Sequence, residues 1–101
     1  MSDQNRPAGT GITAQFWTLA HLGYSGNRRL DVWLYRTEAE ALAAGARLAM
    51  ECGMDDDRRT VQLYASGNFV AVMSRYQQVM GPGFILRVQP AIDATRGQFI
   101  A

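Results

Sequence analysis

The chain has 101 residues, 48% hydrophobic and 19% charged, with a formal net charge of +1. Such a chain is one domain that buries roughly 60–65% of its unfolded surface in a single core, and its composition excludes a disordered polymer. The near-neutral charge removes support for a strongly basic nucleic-acid binder and for an acidic nucleic-acid mimic.

Charge is uneven along the chain. Residues 1–36 carry four Arg and two Asp, residues 37–57 six acids and Arg47, and residues 58–101 five Arg and Asp93. An acidic block of −5 therefore sits between blocks of +2 and +4. It coincides with a helix and its exit loop, as expected of a solvated helix with capping acids. All ten basic residues are Arg. The lone Cys52 rules out an internal disulfide and points to a reducing interior. Met1–Ile12 has no apolar signal core, and no run reaches membrane-spanning length. The expectation is a cytoplasmic protein with no membrane partner.

Residues 1–12, polar and punctuated by Pro7, Gly9 and Gly11, read as a tail. Thr13 to Tyr24 is rich in β-branched and aromatic residues and predicts a first strand. Ser25 to Arg29 is a turn, and Leu30 to Arg36 predicts a second strand. A five-residue connection implies an antiparallel hairpin. Thr37-Glu38-Ala39-Glu40 then reads as a capping box, with Thr37 accepting from the Glu40 N–H and Glu40 reaching back. The helix that follows, about Glu38 to Cys52, runs to a stop at Gly53. Ala39, Leu42, Ala43, Ala46, Ala49 and Met50 form one apolar face, and Ala41, Gly45, Leu48 and Cys52 a second strip. Only Glu40, Ala44, Arg47 and Glu51 remain as a polar stripe, so this helix should touch both the sheet and another helix. Gly45 costs about 1 kcal/mol in helix propensity, which close approach of a neighbouring backbone would explain.

Asp55-Asp56-Asp57 suits a helix start. Phe69, Val72, Met73, Tyr76, Val79 and Met80 recur at helical spacing, predicting two helices at about 57–66 and 69–80, broken at Gly67-Asn68. The rival reading of this stretch is a hairpin, since Val61, Leu63 and Phe69 to Val72 also suit strands. Gly81-Pro82-Gly83 is a hard break, Phe84 to Val88 predicts the last strand, closed by Pro90, and residues 93–101 read as a second tail.

The expected fold is α+β, in the order ββααβ. A small antiparallel sheet, made from the hairpin and the C-terminal strand, carries two to three helices mainly on one face. The layout WTLAHLGY…LDVWLYRTEAEALA…LYASGNFVAVMSRYQ…FILRVQPA resembles a diffuse group of small uncharacterised proteins of high-GC bacteria and their plasmids and phages. In that group a short hairpin precedes a Y-x-T-E-x-E-A helix and an L-x-x-x-G-x-[FY] helical pair. The likeness covers about residues 16–91. It implies the helical form of 57–80 and a mobile-element setting, with no activity and no site residues to carry over.

No enzyme, cofactor or metal signature emerges. His21 on a strand lacks a visible nucleophile and orienting acid. Cys52 lies at the helix end that does not stabilise a thiolate. Asp55-Asp56-Asp57 lacks EF-hand spacing, and Gly81-Pro82-Gly83 precedes a strand rather than a helix, unlike a phosphate loop. The sheet is more informative. Alternation puts Phe16, Thr18, Ala20 and Leu22 on one face of the first strand and Trp17, Leu19 and His21 on the other. The aliphatic composite face suits the helices. The opposite one carries Trp17, His21, Trp33, Tyr35 and Arg87, and these are the candidate partner-binding residues. If helices or termini cover that face as well, the aromatics are core. The leading expectation is a non-catalytic protein-interaction module, self-associating as a homodimer or binding another protein, in the manner of a phage- or plasmid-type inhibitor or regulator. The alternative is single-stranded nucleic-acid binding, with bases stacked on Trp17, Trp33 and Tyr35 and phosphates met by Arg28, Arg29 and Arg87.

Overall fold

The computed structural model describes residues 16–23 and 29–91. Both predicted tails, the start of the first strand and most of the hairpin turn, Arg28 included, lie outside the described residues. The elements are β1 (Trp17–Leu22), β2 (Leu30–Tyr35), α1 (Glu38–Glu51), a 3-10 turn (Met54–Asp56), α2 (Arg58–Ala65), α3 (Phe69–Met80) and β3 (Ile85–Pro90). The fold is α+β, and residues 57–80 form the helical pair rather than the hairpin.

Each helix begins where its side chains can satisfy orphan backbone donors. The Thr37 hydroxyl accepts from the Glu40 N–H at 3.1 Å. The exposed Glu40 carboxylate makes no return bond among the described residues, so half of the capping box forms. Asp57 accepts from the Thr60 N–H at 2.9 Å, and Asn68 accepts from the Ala71 N–H at 3.3 Å. Gly53 and Gly67 take positive φ values of 111° and 81° at the two helix breaks, a conformation glycine adopts without Cβ penalty.

The sheet is antiparallel with β1 central, in the order β2-β1-β3. Across β1, Leu19 pairs with Trp33 and Val88, Ala20 with Val32 and Arg87, and His21 with Asp31 and Leu86. Helices α1 and α3 cover one face, while α2 packs mainly on α3 and the 3-10 turn. The core joins Leu19 and Leu86 of the sheet to Ala46, Ala49, Met54, Val72, Met73 and Tyr76. Ala44, expected on the polar stripe of α1, is buried with Ala41, Gly45, Ala46 and Ala49. The approach at Gly45 is by side chains, not by backbone. A Cβ there would lie 2.7 Å from Met73 Sδ and 3.1 Å from Leu19 Cδ1.

The face assignment of the sheet needs correction. The helices sit on the side of Trp17, Leu19, His21, Trp33 and Tyr35, and the aliphatic side is open. Leu19 is fully buried, Tyr35 packs on the core, and Trp33 and Tyr35 line a small recess with Ala44, Arg47 and Leu48 of α1. The cause is volume. The buried side of α1 is almost entirely alanine and glycine, so it fills close-packed space only against large sheet residues. Counting aliphatics per face does not register that complementarity.

Candidate functional site

The open face is a grid set by strand register. Along β2 run Leu34, Val32 and Leu30; along β1 run Phe16, Thr18, Ala20 and Leu22; along β3 run Gln89, Arg87 and Ile85. Leu30, Val32 and Leu34 are 53%, 55% and 63% exposed, and Phe16 is 41% exposed. Single exposed apolar residues are ordinary, but four in one contiguous patch mark a contact surface.

The two sheet edges differ. The Ala91 N–H donates to the Phe16 carbonyl at 3.0 Å. Hydrogen-bonded and non-hydrogen-bonded pairs alternate in antiparallel ladders. Residues 85, 87 and 89 therefore turn their backbone to β1, whereas Leu86 and Val88 turn theirs outward. Gln77 of α3 occupies part of that outer edge. Its Oε1 accepts from the Leu86 N–H at 3.2 Å, and its Nε2 donates to the carbonyls of Gly81, at 3.0 Å, and Phe84. Pro90 also lies at an outward position, where its missing N–H costs no ladder bond. On the other side, Trp17, Leu19 and His21 serve β2, which leaves Leu30, Val32 and Leu34 with outward-facing backbone. The β2 edge has no such cover among the described residues. Its outward residues are the same ones that expose apolar side chains.

The predicted site residues divide between the faces. Trp17, His21, Trp33 and Tyr35 lie on the helix-packed side, with Trp33 39% exposed because it sits at the sheet margin. Arg87 lies on the open side, at its polar border. Arg29 is held by Asp31 at 2.9 Å on the helix-packed side, so the aromatics, Arg29 and Arg87 form no common surface for a nucleic-acid strand.

His21 has a specific structural partner. Its Nε2 lies 3.0 Å from the hydroxyl of the fully buried Tyr76, linking β1 to α3. Burial holds the His21 pKa below its usual 6.5, opposed by nearby Asp31. Burial pushes Tyr76 up to about 12, with Cys52 adding to the effect. The Cys52 thiol is also raised, by burial first, so it is protonated at neutral pH. These three groups join the sheet to α1 and α3. Helical spacing places Tyr76 on an apolar face, and only the partner across the chain reveals its polar role.

A second charged cluster ties α2 to α3. Arg75 Nη2 lies 2.8 Å from Asp57 Oδ2, and its Nε donates to the same oxygen at 3.0 Å. Bonds from Thr60, then the Arg75 charge, hold the Asp57 carboxyl below its ordinary range. Asp55 and Asp56 are exposed in the 3-10 turn. Among the described residues no group of three or more His, Cys, Asp or Glu converges as a metal site. A groove of about 750 Å³ runs between the start of α1, α3 and β3, lined by Leu42, Val70, Met73 and Phe84. Glu38, Ser74, Gln77 and Arg87 also line it. No described helix is long and apolar enough to cross a membrane.

No protein-family model, curated protein or solved structure matches this chain.

Proposed function

We propose that this chain is a non-catalytic protein-interaction module whose contact surface is the open face of the sheet. The observation that carries this reading is the exposed ridge Leu30-Val32-Leu34 beside Phe16. Covering four side chains already about half exposed would stabilise a complex by about 3–6 kcal/mol before association costs. The polar border at Arg87 and Gln89 supports the reading, because interfaces pair an apolar centre with a polar rim. Regulation or inhibition of a host system, the setting implied by the resemblance to plasmid and phage proteins, belongs to this proposal.

The test is a photo-crosslinking amino acid placed singly at Leu34 and, as control, at Val79, which is exposed on α3. Expressed in a bacterial host, the Leu34 position should give discrete protein crosslinks that Val32→Glu abolishes, and the Val79 position should not. Equal crosslinking from both positions, or crosslinks unaffected by Val32→Glu, would contradict the reading.

A further inference from the structure

We infer that the protein is engaged along its β2 edge, by an extended segment of a partner protein that joins the sheet as an added strand; this rests on the interaction-module reading. The two outer edges of the sheet are finished in opposite ways. On β3 the Gln77 side chain holds the Leu86 N–H and the Phe84 carbonyl, and Pro90 has no N–H to offer. On β2 the N–H and carbonyl of Leu30, Val32 and Leu34 point outward, and no described residue pairs with them. Edges that must stay unpaired are blunted by a proline, a bulge, a charge or a covering element. β2 contains no proline, and its pairing with β1 runs without a bulge from Leu30 to Tyr35. Its charged residue, Asp31, is turned to the helix side and held by Arg29, and Arg36 stands past its end.

The chemistry of that edge names its occupant. Donors and acceptors repeat along it about every 6.8 Å, the spacing of alternate residues in a strand. An extended polypeptide backbone is the complement of such an array. Run antiparallel, a segment lying opposite Leu34 to Leu30 satisfies both outward groups on all three residues, because each of its first, third and fifth residues exchanges two bonds with the residue it faces. Those same residues project on the open face, beside Leu34, Val32 and Leu30, so they are aliphatic or β-branched. The second and fourth residues fall on the helix side. The one opposite Trp33 meets a recess of about 90 Å³ rimmed by Arg47 and Glu51 of α1, and a small polar side chain suits it. The partner segment therefore alternates apolar and polar residues.

A segment this short does not bind by area. Main-chain bonds supply the affinity, and the side chains that extend the Leu30-Val32-Leu34 ridge by one strand supply the selectivity. Loss of one such bond weakens binding by roughly two- to tenfold.

Random heptapeptides displayed on phage and selected against the full 101-residue chain test the inference. The recovered peptides should alternate apolar and polar residues. Added as synthetic peptides, they should slow amide exchange at Leu30, Val32 and Leu34 and leave Val88 unchanged. An N-methyl group at an apolar position of the peptide removes a main-chain bond and blocks approach, and should weaken binding about tenfold or more. One at an intervening position should have little effect. Val32→Pro gives β2 the protection that Pro90 gives β3, and should abolish peptide binding with the thermal midpoint of the free chain nearly unchanged. Should that variant unfold, the N-methyl series on the wild type decides. Recovery of no peptide, tolerance of N-methylation at every position, or protection confined to residues outside β2 would overturn the inference. So would slow exchange at Leu30, Val32 and Leu34 without peptide: in dilute solution it shows that the chain covers its own edge, and if it appears only with rising concentration it shows that a second copy does. If the protein crosslinks from Leu34 persist undiminished in Val32→Pro, the face binds without strand addition, so this inference falls and the interaction-module reading stands.

Discussion

Replacing Tyr76 with Phe removes one hydroxyl from the centre of the fold and leaves its ring volume in place. The lost interaction is the 3.0 Å bond to His21 Nε2, together with the contact to the Cys52 thiol. A buried hydrogen bond contributes about 1 kcal/mol net. His21 is half-buried and can turn its nitrogen toward water, so little desolvation penalty is added on its side. Tyr76→Phe should therefore cost about 1–2 kcal/mol, or roughly 4–15 °C in midpoint for a domain this size. Urea unfolding at several pH values measures it and carries a second check. The folded-state pKa of His21 lies below the unfolded value of 6.5. Above 6.5 the imidazole is neutral in both states and stability is complete. As pH falls below 6.5 the unfolded chain binds the proton first, so wild-type stability declines until the folded pKa is passed. His21→Gln should flatten that decline. A Tyr76→Phe midpoint equal to or above wild type, or wild-type stability that rises on acidification through 6.5, would refute the linkage.

Three further perturbations probe the frame around the site. Gly45→Ala sets a propensity gain of about 1 kcal/mol against an overpacking cost of about 1–3 kcal/mol at Met73 and Leu19. We expect net destabilisation by urea titration, and a gain would show that the Met73 thioether yields freely. Gln77→Ala deprives the Leu86 N–H and the Phe84 carbonyl of their side-chain partner, while the Gly81 carbonyl keeps the Phe84 N–H at 3.1 Å, at a cost of about 1–2 kcal/mol. Amide exchange at Leu86 should accelerate, and unchanged exchange would argue against Gln77 as the edge cap. Asp57→Asn keeps a capping oxygen but removes the carboxylate whose pKa lies below 3.8. The wild type keeps that group's stabilisation above 3.8 and loses it as acidification passes the folded pKa. The variant should lack this acid-dependent loss in a stability-versus-pH series, and an identical acid limb in both proteins would count against the ion pair.

The backbone plan was legible because local signals agreed. Thr37, Asp57 and Asn68 mark three helix starts, Gly53 and Gly67 mark two breaks, and a period near 3.6 outweighed strand propensity over Phe69–Met80. Alternation sorted the residues of β1 and β2 correctly into two sets, but it could not register β3 against them, and Arg87 falls on the face opposite the aromatics with which it was grouped. Which set meets the helices was not legible from the strands alone, because the answer is written in α1. Its buried side of Ala41, Ala44, Gly45, Ala46 and Ala49 leaves room only for large partners, and matching volumes between helix and sheet would have identified the covered face. The Tyr76–His21 bond spans 55 residues and the Gln77 bonds to β3 follow a turn. Neither has a local sequence signature.

The most direct test of the open-face account is paramagnetic broadening of methyl resonances by an inert soluble radical, recorded in dilute solution. In dilute solution the methyls of Leu30, Val32 and Leu34 should broaden strongly while those of Leu19 and Val72 do not. If Leu30, Val32 and Leu34 are as protected as Leu19, the face is not open and the account is wrong.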